Sequence, residues 1–259
     1  AIIDLYVDQM KNENYKIWKT DSIKKEGGSF SFALEKVKFN KTKAGYFNYH
    51  EQTYFSIYAN KLDLYGAFDN EYFDMKVSSK KISLNYLKIN DYSIEKKYEL
   101  DFNLELFIDK NKNTIDIKKS KIYFEKMKFT ADGLIGTNNN NTLNLSIKGD
   151  DINIKEVTES FKNIFPEKIK DYETDGIIDF KLHIKRDKEF GYEINTSFSM
   201  ENGIVKEKKS GISINKLSFS GRFNNTEDKG GVIELKNIKG YLGNSFFDMA
   251  IKINELNEP

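Results

Sequence analysis

The sequence predicts a mainly β protein: a long, antiparallel, curved sheet with one or two short helices near 152–172. Three observations carry this. First, Tyr98 to Ile108 reads YELDFNLELFI. Tyr98, Leu100, Phe102, Leu104, Leu106 and Ile108 alternate with Glu99, Asp101, Asn103, Glu105 and Phe107. A period of two puts an apolar row on one face of a strand and a polar row on the other. At about 3.3 Å per residue the run extends roughly 36 Å, about twice a usual strand. Second, the 259 residues are 39% hydrophobic and 31% charged, with 20 Phe and 15 Tyr against a single Trp. That balance suits strands dry on one face, because strands buried on both faces read as continuous apolar runs. Third, alternating runs recur about every 12 residues with turn signals between them, the spacing of an antiparallel meander.

The elements follow in order. Ile2 to Val7 opens, and Tyr15 to Thr20 alternates around Ile17. Phe30, Phe32 and Leu34 share one parity, while Val37 and Phe39 take the other, which predicts a bulge near Glu35-Lys36. Tyr46 to Tyr49 leads into a run from Thr53 to Phe68. There Phe55, Ile57 and Ala59 are succeeded by Leu62, Leu64, Gly66 and Phe68 in the opposite parity, predicting a second bulge or bend near Asn60-Lys61. Phe73 to Val77 and Ile82 to Tyr86 precede the long run, and Asp109 to Asn113 is a polar turn. Ile115 to Phe124 and Met127 to Ala131 come next. Gly136 and the Asn138 to Asn141 run predict a hairpin loop leading to Leu143 to Ile147.

One stretch breaks the period. Ile154, Val157, Phe161 and Ile164 are spaced by three, four and three residues, which is helical amphipathicity, and Pro166 limits the helix. Asp150-Asp151 ahead of it reads as the N-cap. Strands resume with Ile178, Phe180, Leu182 and Ile184, then Tyr192 to Met200, with Asn202-Gly203 as a turn. Ile212 and Ile214 give way to Leu217, Phe219, Gly221 and Phe223 after a phase change. Ile233, Leu235 and Phe247 to Ile253 close the pattern. ISINKLSFSGRF (212–223) and IDIKKSKIYFEKMKFTADGLIG (115–136) share a loose plan of alternation, a Lys-containing break, and alternation again. The organisation expected is 1–150 as an N-terminal β segment, 151–175 as a short helical insertion or cap, and 176–259 as a C-terminal β segment of one continuous sheet. The whole is expected to be a piece of a longer chain.

The chemistry of the sequence is sparse. There are 41 basic and 40 acidic residues, so no basic excess points to nucleic acid. Cysteine is absent, which removes disulfides, thiolate nucleophiles and Cys-ligated zinc. The two histidines, His50 and His183, are far apart; His183 has the polar parity of its strand and His50 sits in a polar turn. Neither forms a zinc motif or a triad. No nucleotide-binding or nucleophile-elbow motif occurs. A carboxylate pair for glycoside hydrolysis is open on composition alone, but most acids, such as Glu99, Asp101 and Glu105, have the wet parity of strands. No enzyme activity, cofactor or metal is expected.

Several stretches carry a family resemblance. IFPEKIKDYETDGIIDFKLHIKRD (164–187), INTSFSMENGIVKEKKSGISINKLSFSGRFNN (194–225) and GVIELKNIKGYLGNSFFDMAIKI (231–253) resemble the strand, NG, strand and Gly-punctuated units of AsmA-like bacterial proteins, of the Bacteroidota type. KAGYFNYHEQTYFSIYANKLDLYGAFDNEYFDMKV (43–77) and KMKFTADGLIG (126–136) fit the same plan. The resemblance implies a periplasmic β-rich body, held in the inner membrane by a segment outside this chain. It also implies kinship with bridge-like lipid transfer proteins, whose open, taco-like β-groove guides acyl chains between membranes. The expected partners are a phospholipid or other acyl lipid and envelope proteins, with no nucleic acid.

Candidate groove-lining residues are Phe55, Ile57, Leu62, Leu64, Tyr98, Leu100, Phe102, Leu104, Leu106, Phe180, Leu182 and Ile184. The alternatives are an interaction scaffold in outer-membrane biogenesis and a closed carbohydrate-binding β-sandwich, in which the same residues are ordinary core.

Overall fold

The computed structural model describes residues 2–12, 14, 31–50, 52–69, 71–89, 92–94, 97–137, 142–160, 170–187, 191–226 and 230–255. Among the described residues the protein is mainly β, 80% strand, with an open sheet not closed into a barrel and a single short helix. The predicted strand at Tyr15 to Thr20, together with Phe30, Phe161, Ile164, Pro166 and the Asn138 to Asn141 run, lies outside the described residues. The chain divides into two compact units, Ala1–Glu125 and Lys126–Pro259.

The first unit holds β1 (Ile2–Val7), β2 (Ser31–Asn48), β3 (Thr53–Asp69), β4 (Tyr72–Ile89), β5 (Tyr92–Ile94), β6 (Tyr98–Asp109) and β7 (Thr114–Phe124). Their order across the sheet is β1-β2-β3-β4-β6-β7, with β5 beside β4. All pairings are antiparallel except β1 with β2, which is parallel. β1 is thus the exception to the antiparallel order that the sequence predicts.

The second unit holds β8 (Met127–Gly136), β9 (Leu143–Asn153), helix α1 (Ile154–Ser160), β10 (Tyr172–Asp187), β11 (Gly191–Glu207), β12 (Ser213–Asn224), β13 (Val232–Leu242) and β14 (Ser245–Asn254). These strands are neighbours in chain order and antiparallel where their registers are given. The β8–β9 hairpin is closed by the Gly136 N–H donating to the Thr142 carbonyl at 2.6 Å. Helix α1 lies against β10 and, to a lesser extent, β9. Its N-cap is Asn153, whose Oδ1 accepts the Lys155 N–H at 2.8 Å. The Asp150-Asp151 reading is thereby corrected: Asp151 belongs to β9 in the left-handed region, φ 55, and its N–H donates to Asp179 Oδ1 at 2.8 Å.

The phase changes in the apolar pattern have a common cause. Lys41, Lys81, Asp151, Asn202, Lys216 and Asn237 all have φ between 49 and 56 inside strands. At every one the apolar residues switch parity: Val77 to Ile82 across Lys81, Met200 to Gly203 across Asn202, Leu235 to Ile238 across Asn237. A left-handed residue in a strand forms a bulge that inserts one extra position. Parity therefore changes while the face does not. Asn202 is thus a bulge within β11, correcting the predicted Asn202-Gly203 turn. The bulge predicted at Glu35-Lys36 is present as a register shift between Leu34 and Val37. The parity change predicted at Asn60-Lys61 falls there, between Ala59 and Leu62, with the left-handed residues Lys41 and Lys81 beside it in the neighbouring strands. Asn40↔Lys61 and Thr42↔Ala59 stay in register there, and the β3–β4 register shifts at Ser56/Ile57.

Register shifts free backbone N–H groups, and side chains take them up. The Phe102 N–H donates to Ser79 Oγ at 2.8 Å, and the Glu105 N–H donates to Ser120 Oγ at 3.1 Å. Ser79 and Ser120 are buried for this reason. On the polar face, cross-strand partners carry opposite charge: Lys76–Glu105 at 3.1 Å, Lys185–Glu193 at 2.6 Å, Arg222–Glu234 at 2.7 Å and Lys239–Asp248 at 3.5 Å. Such pairs support register more than they add stability, each being worth about 0.2–1 kcal/mol.

Candidate functional site: an uncovered apolar face

The register carries the apolar rows across each unit. In the first, Phe68↔Phe73, Leu64↔Val77 and Ala59↔Ile82 join β3 to β4. Phe73↔Ile108, Met75↔Leu106, Val77↔Leu104 and Leu84↔Tyr98 continue to β6, and Leu106↔Ile117 and Phe102↔Ile122 continue to β7. In the second, Phe129↔Gly149, Gly149↔Phe180, Phe180↔Phe198, Phe198↔Gly221, Gly221↔Leu235 and Leu235↔Ile251 run from β8 to β14. Partners directly opposite in a ladder share a face, so both units present an unbroken apolar face.

Glycines on this face seat aromatic rings. A Cβ on Gly221 would lie 2.3 Å from the Phe198 ring, and one on Gly149 would lie 2.5 Å from the Phe180 ring. The ring of one strand lies over the bare backbone of the next.

Coverage of the face is partial. Among the described residues, strands in substantial contact are sheet neighbours, and the only other substantial packing is α1 against β10 and β9. Among the described residues no second sheet lies over either unit. Most apolar-face side chains are therefore half-buried, flanked by their own strand neighbours and bare above. The fully buried apolar residues, such as Ile82, Tyr98, Met127, Ile152 and Val232, are few among those described.

The sequence-predicted residues fall on this face in three groups. Phe55, Ile57, Leu62 and Leu64 on β3 are half-buried. Leu100, Phe102, Leu104 and Leu106 on β6 are half-buried as well, and β4 bridges the two groups. Tyr98 differs: it is 2% exposed, with its ring 5.0 Å from that of Phe124. Burial, then the nearby Glu125 carboxylate, pushes its hydroxyl above the usual tyrosine range. Phe180, Leu182 and Ile184 on β10 are half-buried members of the second unit's face. Phe107, the one apolar residue in β6's polar row, stacks on Tyr72 at 5.6 Å beneath the Lys118 ammonium.

A cavity that sequence reasoning did not single out lies on the second unit's face. It measures about 530 Å³ and is lined by Ile214, Leu217, Phe219, Leu235, Ile238, Leu242, Phe246, Phe247, Met249 and Ile251, with Ser245 the one polar residue in its wall. Ile214 and Leu217 flank the Lys216 bulge, and Leu235 and Ile238 flank the Asn237 bulge. All four line one cavity, so the bulges hold the apolar set on a single face. The signal was present as paired phase changes in β12 and β13, but each alone reads as the end of a strand.

The polar face holds its charges in pairs. Asp63 is mostly buried, with its carboxylate 3.0 Å from Lys36 Nζ and 3.4 Å from Lys61 Nζ. The Lys36 hydrogen bond first, then the other lysine contacts, outweigh desolvation and hold its carboxyl below the ordinary aspartate range. Glu234 is held low in the same way by Arg222 and Lys236. His183 Nδ1 lies 3.1 Å from Ser146 Oγ. Among the described residues no group of three or more His, Cys, Asp or Glu is placed to hold a metal ion, and no helix is long and apolar enough to cross a membrane. No family model, curated protein or solved structure matches the chain. What the described residues define is a class: a mainly β protein in which each unit presents an apolar sheet face.

Proposed function

We propose that this chain is a lipid-binding groove segment of an AsmA-like envelope protein. In this reading it lies in the periplasm, anchored in the inner membrane through a segment not present here. It passively carries phospholipids between inner and outer membranes without catalysis. One observation supports this above others: an unbroken, half-exposed apolar face that no second layer covers among the described residues. Left to water, such a face is costly, and contiguous apolar patches on soluble proteins mark binding surfaces. Each acyl methylene laid on it gains about 0.8 kcal/mol. A string of weak, similar contacts holds a chain without fixing its position, which suits conduction better than storage. The carbohydrate-binding sandwich finds no support, because it needs a second sheet sealing this face.

The test is lipid capture. A photo-reactive residue at Leu104 or Leu217 on the apolar face is expected to crosslink to co-purifying phospholipid, detected by mass spectrometry. The same probe at Glu105, on the polar face, is expected to stay unmodified. Equal labelling at both faces, or no lipid at either apolar position, would overturn the reading.

A further inference from the structure

The polar face of the second unit carries a small cavity of about 270 Å³, lined by Lys181, His183, Asn195, Ser197, Arg222 and Asn224. The register brings these residues together. His183↔Asn195 and Lys181↔Ser197 face each other between β10 and β11, and Asn195↔Asn224 and Ser197↔Arg222 between β11 and β12. No register shift falls among them, so all six share one face. Around this cavity the acceptors are taken. Asn195 Oδ1 accepts from Asn224 Nδ2 at 2.6 Å, and Asn224 Oδ1 accepts the Thr226 N–H at 2.7 Å. The Glu193 carboxylate is held by Asn195 Nδ2 at 2.7 Å and by Lys185 Nζ at 2.6 Å. That of Glu234 is held by Arg222 Nε at 2.7 Å, and Lys148 of β9 is paired with Asp150 at 2.9 Å. The donors are left over. Lys181, in the midst of these pairs, has no carboxylate partner among the described residues, and the Ser197 hydroxyl has no hydrogen bond there. The His183 ring is bonded through Nδ1 alone, to Ser146 Oγ at 3.1 Å. In the tautomer where Ser146 donates to Nδ1, Nε2 carries the ring proton and is a donor.

We propose that this cavity binds a phosphate group through the Lys181 ammonium, His183 Nε2 and the Ser197 hydroxyl. Unengaged donors grouped around one uncompensated cation, with the neighbouring acceptors occupied, complement an oxyanion and repel a cation. The cavity is smaller than the about 300 Å³ at which pockets begin to enclose a whole organic ligand, which suits a single such group. The phosphate is supplied from solution or by a lipid headgroup. The site stands apart from the acyl-chain reading, because it lies on the opposite face of the sheet from Phe180 and Leu182.

Two probes test this on the 259-residue chain. In an NMR titration with inorganic phosphate, the amides of Lys181, His183 and Ser197 are expected to shift saturably. Flotation compares phosphatidylcholine vesicles with and without phosphatidic acid. Lys181→Gln is expected to weaken the response about tenfold, the loss of one charge-assisted hydrogen bond. Ser197→Ala is expected to weaken it as well. Both side chains are exposed, and unchanged amide shifts elsewhere verify that the variants fold. Lys128→Gln removes an exposed lysine outside the cavity and is expected to bind as the wild type does. A response to inorganic phosphate that Lys181→Gln weakens supports the proposal with phosphate in solution as a ligand. Retention on phosphatidic acid vesicles that the same variant weakens supports it with a headgroup as a ligand. No response to either probe overturns the proposal. So does a response that Lys181→Gln leaves intact, or one that Lys128→Gln weakens equally, which would mean diffuse attraction to surface charge.

Discussion

β6 and β14 have nearly the same sequence pattern and opposite surroundings. Both alternate without a phase change, with Leu100, Phe102, Leu104 and Leu106 in one and Phe247, Met249 and Ile251 in the other. β6 has strands on both sides, β4 and β7, and its apolar row is buried or half-buried. Among the described residues β14 has β13 alone, and Met249 and Ile251 stay more than two-fifths exposed. In a single-layer sheet there is no opposite layer to bury a side chain. Coverage comes from lateral neighbours on the same face, so it falls by about half at an edge. The period tells which way a side chain points; the neighbours decide how dry it is.

This comparison can be broken most directly by truncation. Tyr98→Ala in β6 is expected to destabilise the protein by about 3–4 kcal/mol, read from urea unfolding. Met249→Ala in β14 is expected to cost under about 1 kcal/mol, because the side chain is already in water. Equal costs would mean that β14 is covered in solution.

A middle-sized effect concerns the bulges that both β6 and β14 lack. Asn202→Val forces a β-branched residue into φ 53 and is expected to cost about 1–2 kcal/mol. Asn202→Gly, which relieves the backbone, is expected to be neutral or stabilising by a few tenths of a kcal/mol. If Val and Gly behave alike in thermal unfolding, the left-handed bulge is not what keeps Met200 and Val205 on one face.

The smallest effect is electrostatic. Asp63 and Glu234 have carboxyls held below their ordinary range by lysine and arginine partners. A depressed folded value adds stability above the unfolded value, and that stability is lost as pH falls through the folded one. The protein is therefore expected to weaken as pH drops below about 4, with Asp63→Asn and Glu234→Gln each flattening the dependence slightly. Unfolding midpoints measured across that window in low and high salt check both the sign and the screening.

Much of the fold was legible because the side-chain period of a strand is two, and each strand here keeps one face wet. The helix was legible from Ile154 and Val157 at helical spacing. Asn202-Gly203 misled because a left-handed Asn serves a turn and a bulge equally, and only the continuing register of β11 with β10 and β12 tells them apart. The cavity at β12 to β14 was illegible for a related reason: its lining comes from three strands whose parities differ, and they align only after each bulge has taken its extra residue.

What the sequence by itself determined is the local geometry: strand period, the amphipathic turn of α1, and the positions at which parity changes. Those are properties of residues within a few positions of one another, where sterics and side-chain direction suffice. The tertiary structure decided the rest: that β1 joins β2 in parallel, that every parity change preserves a face, and that this face has no second layer among the described residues. These depend on which strands meet, and hydrophobic burial is non-directional. An alternating row asks only to be covered. Whether protein or lipid covers it is set by what lies beside and above the strand.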